Sequence, residues 1–471
     1  MDSRYVKNTP LDTLFAWIER HPGRTGTMAG WYQQAASVSM ALLVIPLIIK
    51  VLSPEEAGIW FTFQAIFLSF GVLQFGTGFT IARQVAYSKR LASGDPIPHD
   101  CDFIATRHGW AGITDLCRHS RKIFRFLTVL ALVILVGLQQ FILPLGDLLP
   151  NADRSYTIAW YLLSATSLIL LYTDHKKVIL EGIGMVYLNR LAMGTQFLLG
   201  GIATFLALSF TGSLVAMAAA QLSAGAVLVL LVEIAYRKHV RANLLPDPGE
   251  NEIKVRDLLK VALPLGVMQT GGFLSAIGRV PLIGFLLGPA AVSPFFIAEK
   301  IGISLLLAVD HLQDPQRPFF TSEIADQKWQ LARKRMLKIG TVVTVVAIMT
   351  QAIFFLGSTA FVNLWIGPGR YVDTTVLFWM ALHYCLGLSL GTWRSFTLAS
   401  GRNPFVAVTL ISGALSLTLC LFLTPEFGVI GVVWSGLIAS ALTGYWFNIY
   451  HGIKLWRFLT AKLGDTRMAL G

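Results

Sequence analysis

Three charged residues lie deep inside apolar segments of this chain. Arg279 stands in SAIGRVPLIGFLL, and Glu299 and Lys300 are neighbours in SPFFIAEKIG. A charge at the centre of a bilayer costs about 2.5 kcal/mol or more on insertion scales, so such residues usually serve a function. The sequence therefore predicts a functional site around Arg279, Glu299 and Lys300.

The depth of these residues follows from helix geometry. The turn between two apolar segments centres near Pro289, with Arg279 ten residues before it and Glu299 ten residues after it. At about 1.5 Å per residue, both lie roughly 15 Å from the membrane surface, near the middle of a core about 30 Å thick. An ion pair between Arg279 and Glu299 is the alternative, and it would leave Lys300 as the net positive charge. Lys300 lies about 100° around the helix from Glu299, so the two side chains need not face the same cavity.

Other charged or titratable residues are weaker candidates. His383 lies near mid-depth, either as a hydrogen-bonded buried histidine or as a group that carries a proton or contacts a sugar. Arg83, Arg394 and Asp310 lie near the ends of apolar segments and are typical interfacial charges, although the two arginines could also contact an anionic ligand.

The composition indicates an integral membrane protein. Of 471 residues, 54% are hydrophobic and only 14% are charged, against about 25% charged residues in soluble proteins. Twelve apolar stretches approach the roughly 20 residues of a spanning helix. We predict an all-α fold of about twelve transmembrane helices at 28–52, 57–82, 123–143, 157–173, 191–209, 213–235, 258–287, 291–309, 339–356, 374–399, 405–423 and 429–450.

The distribution of charge predicts the orientation. Lysine and arginine collect in alternate loops and in the C-terminal tail, whereas the opposite side carries only Arg154, Arg370 and the interfacial Lys50. Basic loops are typical of the cytoplasmic side, so we expect both termini in the cytoplasm. This arrangement accounts for the net charge of +12 without any nucleic acid.

An internal repeat divides the chain. IPLIIKVLSP begins at Ile45 and VPLIGFLLGP begins at Val280; at this offset of 235, nine of 33 positions are identical. A parallel repeat of six helices each is typical of transporters, and a plain structural bundle is the alternative. We predict an N-terminal segment with an amphipathic helix (1–27), two lobes (28–236 and 258–452), a cytoplasmic linker (237–257) and a tail (453–471). Val44 occupies the position that Arg279 holds in the second copy.

The stretch SPEEAGIWFTFQAIFLSFGVLQFGTGFTIARQVA resembles the second helix of the polysaccharide exporters of the multidrug/oligosaccharidyl-lipid/polysaccharide (MOP) superfamily. LGPAAVSPFFIAEKI is similar to the family's entry into its eighth helix, and LEGIGMVYLNRL is similar to its connection between helices 4 and 5. The matching positions are Leu52, Glu55, Glu56, Gly58, Trp60, Gly76, Gly78, Arg83, Ala298 and Lys300.

The resemblance implies a flippase of the O-antigen type in the bacterial inner membrane. Such a protein moves an undecaprenyl-pyrophosphate-linked oligosaccharide to the periplasmic leaflet, with two lobes rocking around a cationic central cavity. It also implies coupling to H⁺ or Na⁺, a monomer, and polysaccharide polymerase and assembly proteins as partners. The site residues on this hypothesis are Arg279, Lys300, Arg83 and Arg394 for the cargo, and Glu299 and His383 for coupling or charge pairing.

Three alternatives remain on the sequence alone. An ion-coupled multidrug exporter of the same superfamily would favour acidic residues in its lobes. An integral-membrane glycosyl- or acyltransferase would need partnered acids or histidines at an interface, and the third alternative is a non-transporting scaffold for polysaccharide assembly. No nucleotide-binding motif is present, and we expect neither an enzyme nor a cofactor.

Histidines and cysteines between residues 84 and 122 raise the question of a metal site. Their spacing matches no standard zinc finger, so we predict a solvated, basic cytoplasmic loop without metal. The residues concerned are His99, Cys101, His108, Cys117 and His119.

Overall fold

The computed structural model describes residues 22–74, 76–92, 109–146, 155–245, 255–275, 278–313, 316–400 and 403–468, and all regular structure within these ranges is helical. The prediction of an all-α membrane fold is confirmed. The predicted amphipathic helix near the N-terminus lies outside the described ranges.

The helices fall into two compact units. The first unit contains α1 (Pro22–Val51), α3 (Thr77–Ala92), α4 (Gly109–Gly146), α5 (Ser155–Gly182), α6 (Val186–Thr211), α7 (Leu214–His239) and the start of α8 (Val255–Ser275). The second unit contains α2 (Pro54–Ser69), the rest of α8 from Pro264, α9 (Arg279–Leu287), α10 (Val292–Gln313), α11 (Gln316–Ala325), α12 (Trp329–Trp365), α13 (Thr374–Ala399), α14 (Val406–Phe427), α15 (Val429–Leu442) and α16 (Gly444–Met468).

Eleven helical segments in the described part of the chain are long and apolar enough to cross a membrane. The second predicted span, 57–82, is not among them, and its prediction as one continuous helix is wrong. The predicted spans 258–287 and 429–450 are also divided, each between two helices. Helix α2 ends at Ser69, a 3-10 helix covers Phe70–Gln74, and α3 begins at Thr77. Gly76 has a φ of 69°, which glycine adopts without the steric penalty of other residues.

Several helices continue past the predicted ends of their spans. Helix α4 begins at Gly109 rather than at 123, so residues 109–122 of the predicted loop are helical, as are residues 84–92 of α3. Helix α12 has 37 residues, or about 55 Å, against a core of about 30 Å. Hydropathy marks only the apolar part of a helix, whereas backbone hydrogen bonding and packing continue it into water.

Helix α2 positions the start of α10. Its first turn is fixed by a capping box, in which the Ser53 N–H donates to Glu56 Oε2 at 2.9 Å and the Glu56 N–H donates to Ser53 Oγ at 3.2 Å. One turn on, Gly58 lies so close to Pro289 that a Cβ at residue 58 would stand 1.7 Å from the Pro289 carbonyl oxygen. This contact holds α2 against the turn between α9 and α10, the helices that carry Arg279 and Glu299.

Candidate functional site

Arg279 is the first residue of α9, and only 4% of its surface is exposed. Its Nη1 donates a hydrogen bond of 3.0 Å to the carbonyl oxygen of Val432 on α15. Gly436, one turn further along α15, makes room for the guanidinium, because a Cβ there would lie 2.3 Å from Nη1. At Val432 and Gly436 the guanidinium therefore packs against the backbone of α15.

Glu299 is also buried, with 5% exposure, on α10. Across the described residues, its carboxylate forms no ion pair within 4 Å, with Arg279 or with any other side chain. Arg279 and Glu299 nevertheless lie close enough for their charges to interact through space. The structure therefore places the two charges in one interior region without a direct contact between them.

Lys300 faces a different direction from Glu299. Its side chain is exposed, and its Nζ lies 5.3 Å from the centroid of the Phe296 ring on the same helix. An ammonium within about 6 Å of an aromatic face gains a favourable cation–π interaction. Of the two adjacent charges of α10, Glu299 is therefore buried and Lys300 is exposed.

His383 on α13 belongs to the neighbourhood of Arg279. The Tyr445 hydroxyl lies 2.9 Å from His383 Nδ1 and donates to the His383 carbonyl oxygen at 3.1 Å. If Nδ1 donates a hydrogen bond to the Tyr445 hydroxyl, the single N–H of the neutral ring is at Nδ1, and Nε2 is then the acceptor nitrogen. His383, Tyr384 and Tyr445 lie close enough to Arg279 to interact electrostatically with its charge. No sequence pattern singles out Tyr445, which lies at the start of α16.

A cavity of about 310 Å³ lies elsewhere in the second unit, between α10 and α13. Arg394 contributes to its wall, and its guanidinium carbon lies 5.5 Å from the Phe405 ring centroid. Arg394 follows His383 by eleven residues on α13, so it stands roughly 16 Å further along the helix axis. The cavity is lined by Leu306, Asp310, Gln313, Gly387, Leu388, Gly391, Arg394, Ser395 and Leu398.

Arg83 belongs to the first unit, on α3, and its guanidinium carbon lies 6.0 Å from the Phe79 ring centroid. The other five predicted site residues belong to the second unit. Within that unit, the structure brings Arg279, Glu299 and His383 together, and it places Lys300 on an exposed face and Arg394 in a separate cavity.

The first unit has a polar cluster that hydropathy did not predict, since it placed Asp174 and Lys177 in a loop and Gln74 within the second span. Asp174 on α5 accepts a hydrogen bond of 2.5 Å from Gln74 Nε2 and forms an ion pair of 2.5 Å with Lys177. Gln74 is the last residue of the 3-10 helix that interrupts the second span. The break in that span is therefore held by a carboxylate from another helix.

The part of the chain that the structure describes contains no group of three histidine, cysteine, aspartate or glutamate side chains able to hold a metal ion. Cys117 and His119 are buried residues of α4, not residues of a solvated loop. His99, Cys101 and His108 lie outside the described ranges.

Comparison with solved structures identifies the fold. An inward-facing multidrug resistance MATE family transporter of the MOP superfamily is similar with a TM-score of 0.67 and 16% identity, over 90% of this chain and 96% of that chain. A mutant MATE transporter from Vibrio cholerae is similar with a TM-score of 0.60 and 16% identity, over 93% and 98% of the two chains.

A MOP superfamily transporter from Pyrococcus furiosus is also similar, with a TM-score of 0.53 and 13% identity over 93% of this chain and 97% of that chain. The binding pocket of that transporter is described as having reverse polarity, which suggests a different function for it. No family model and no curated protein sequence matches this chain. The chain therefore shares the fold of the MOP superfamily transporters.

Proposed function

We propose that this protein is an alternating-access transporter that moves a lipid-linked, pyrophosphate-bearing oligosaccharide across the membrane. The observation that carries the proposal is the buried Arg279, whose Nη1 is held by the neutral carbonyl of Val432. A charge inside a membrane is costly and is usually kept for a function, and a phosphate is a partner that the planar guanidinium suits well.

The other cationic groups of the second unit support the same class of cargo. Lys300 presents its ammonium on an exposed face, and Arg394 lines a cavity. An undecaprenyl pyrophosphate carries its charge on two phosphates, which match the planar fork of an arginine. On this proposal the cargo is bound by four cationic residues, Arg279, Lys300, Arg394 and Arg83. Coupling of the cycle to H⁺ or Na⁺ is assigned to Glu299 and His383.

The proposal extends to the setting of the protein. The fold and its apolar helices support a multi-pass membrane protein. On this proposal it lies in a bacterial inner membrane with both termini in the cytoplasm, and it acts as a monomer beside polysaccharide polymerase and assembly proteins. The lobes at 28–236 and 258–452 are the bodies that would move.

An ion-coupled multidrug exporter is the second candidate function. Glu299 favours it, because a buried carboxylate without an ion-pair partner among the described residues suits an organic cation. The similar MATE structures are described as multidrug resistance transporters. The transporter of reverse pocket polarity supports the view that cargo differs within this fold.

Reconstitution in vesicles tests the proposal. Purified protein is compared with empty vesicles for two activities, the movement of a fluorescent undecaprenyl-pyrophosphate disaccharide between leaflets and the efflux of ethidium. We expect movement of the lipid-linked sugar and no ethidium efflux. Ethidium efflux without movement of the sugar lipid would contradict the flippase and favour the multidrug exporter.

A further inference from the structure

The cavity between α10 and α13 has the features of a built binding site. Its volume of about 310 Å³ stands at the lower end of the range of small-molecule pockets, which run from about 300 to 1,000 Å³. Leu306, Leu388 and Leu398 supply apolar walls, and the polar groups come from both helices.

Two glycines create the space. Gly387 and Gly391 are four residues apart on α13, so they occupy the same face of the helix one turn apart. A Cβ added at either position would meet no atom within 4 Å. Glycine is a poor helix former, and the absence of any close neighbour means that backbone packing does not explain either residue. Because these two residues have no side chain, the space in front of them stays open and forms part of the cavity.

Gln313 points to a ligand. It is 4% exposed, and its Nε2 donates to Asp310 Oδ1 at 2.5 Å, but its Oε1 is buried without a hydrogen-bond partner. Buried acceptors are rarely left unpaired in proteins, because they have given up their hydrogen bonds to water. A ligand with an O–H or N–H group would satisfy this oxygen.

The groups around Gln313 define the class of that ligand. Asp310 accepts hydrogen bonds, Ser395 can donate and accept, and Arg394 supplies a positive charge that suits phosphate. We propose that this cavity binds the sugar phosphate headgroup of the cargo, with sugar hydroxyl or acetamido groups on Gln313 and Asp310 and phosphate on Arg394. This inference rests on the proposed function and adds a site for the sugar to it.

Binding of soluble headgroup fragments to the purified protein tests the site. The fragments are N-acetylglucosamine 1-phosphate, N-acetylglucosamine, inorganic phosphate and glycerol 3-phosphate, the last representing a phospholipid headgroup. We expect the sugar phosphate to bind at least tenfold more tightly than any of the others. Equal affinity for glycerol 3-phosphate would overturn the role of the sugar and leave a general phosphate site.

A filled cavity provides the matched comparison. Gly391→Leu places a side chain into the open volume, and Gly357→Leu adds the same side chain at an exposed glycine of α12 that also has no neighbour within 4 Å. We expect Gly391→Leu to weaken sugar phosphate binding at least tenfold and Gly357→Leu to leave it unchanged. Gln313→Leu is the second variant, for the case in which Gly391→Leu does not fold, and we expect it to weaken binding to a similar degree. Unchanged binding in the folded variants would overturn the site.

Movement of the sugar lipid in vesicles separates this inference from the proposed function. Wild-type movement in Gly391→Leu together with lost movement in Arg279→Ala would overturn the cavity as a cargo site and leave the flippase standing. Binding of the sugar phosphate that depends on Gly391, in a protein that moves no sugar lipid, would overturn the flippase and retain the site.

Discussion

Phe61 and Phe296 occupy the same position of the two sequence repeats, 235 residues apart, and their rings stack with centroids 4.5 Å apart and planes inclined by 17°. Both residues belong to the second unit, Phe61 on α2 and Phe296 on α10. Gly58 and Pro289 form a second contact between α2 and the segment that leads into α10. Two elements that repeat each other in sequence therefore pack directly on each other, and at Phe61 and Phe296 they do so through a position at which they are identical.

The aromatic pair predicts an energetic coupling. Stacked aromatic rings contribute about 0.5–1.5 kcal/mol beyond their buried area, so Phe61→Ala and Phe296→Ala should be non-additive by that amount. Thermal unfolding of the two single variants and the double variant in detergent measures the coupling. Strict additivity would show that the stacked geometry contributes nothing of its own.

Gly58→Ala should lower stability by about 1–3 kcal/mol or more, because its Cβ would overlap the Pro289 carbonyl oxygen at 1.7 Å and force α2 away from α10. Gly137→Ala on α4 is the control, since no atom lies within 4 Å of its added Cβ and alanine favours the helix. Thermal unfolding should show a lower midpoint for the first variant only. Equal midpoints would contradict the close approach of α2 to Pro289.

The Gln74–Asp174 hydrogen bond should stabilise the break in the second span. A hydrogen bond to a charged group contributes about 1.5–3 kcal/mol, so Gln74→Leu should destabilise the first unit by this order. In an Asp174→Asn background the same change should cost less, because the charge is gone. A double-mutant cycle by thermal unfolding measures the difference, and an equal cost in both backgrounds would refute the contact.

Hydropathy predicts the helical fold and eleven of the twelve spans, because a span must satisfy the length and polarity of the bilayer. It does not predict the break between Ser69 and Thr77, since the apolar residues there read as one span and the interruption depends on a long-range bond from Gln74 to Asp174. It also misses the helical ends of α4 and α12, where polar residues continue a helix through packing.

The site illustrates a similar limit. Charge inside an apolar segment is enough to single out Arg279 and Glu299 from the sequence. One partner of Arg279 is the backbone carbonyl of Val432, which any residue could supply, and the room for the guanidinium comes from Gly436. The carbonyl contact does not depend on residue type, and a glycine within an apolar helix does not by itself point to an arginine. The cavity in front of Gly391 likewise depends on the absence of side chains at Gly387 and Gly391 of α13, and a sequence pattern does not reveal open space.

Gly436→Ala should impair transport without unfolding the protein. Its Cβ would lie 2.3 Å from Arg279 Nη1, so the guanidinium must leave the Val432 carbonyl. We expect at least a tenfold loss of sugar lipid movement in vesicles. Gly444→Ala, with no atom within 4 Å of its added Cβ, is the control and should retain full movement. Normal movement in Gly436→Ala would show that the position of Arg279 does not matter.

The charges of Arg279 and Glu299 decide between a cargo site and a structural role. Arg279→Lys should keep only part of the activity, because an ammonium lacks the two-pronged geometry of the guanidinium. If Arg279 only balances Glu299 through space, then removing both charges should restore what either single change damages.

Movement of undecaprenyl-pyrophosphate oligosaccharide is therefore to be measured in Arg279→Ala, Glu299→Gln and the double variant, at matched amounts of folded protein. If Arg279 binds the pyrophosphate, movement is lost in Arg279→Ala and stays lost in the double variant. Movement near the unaltered level in the double variant would contradict the cargo-binding role of Arg279.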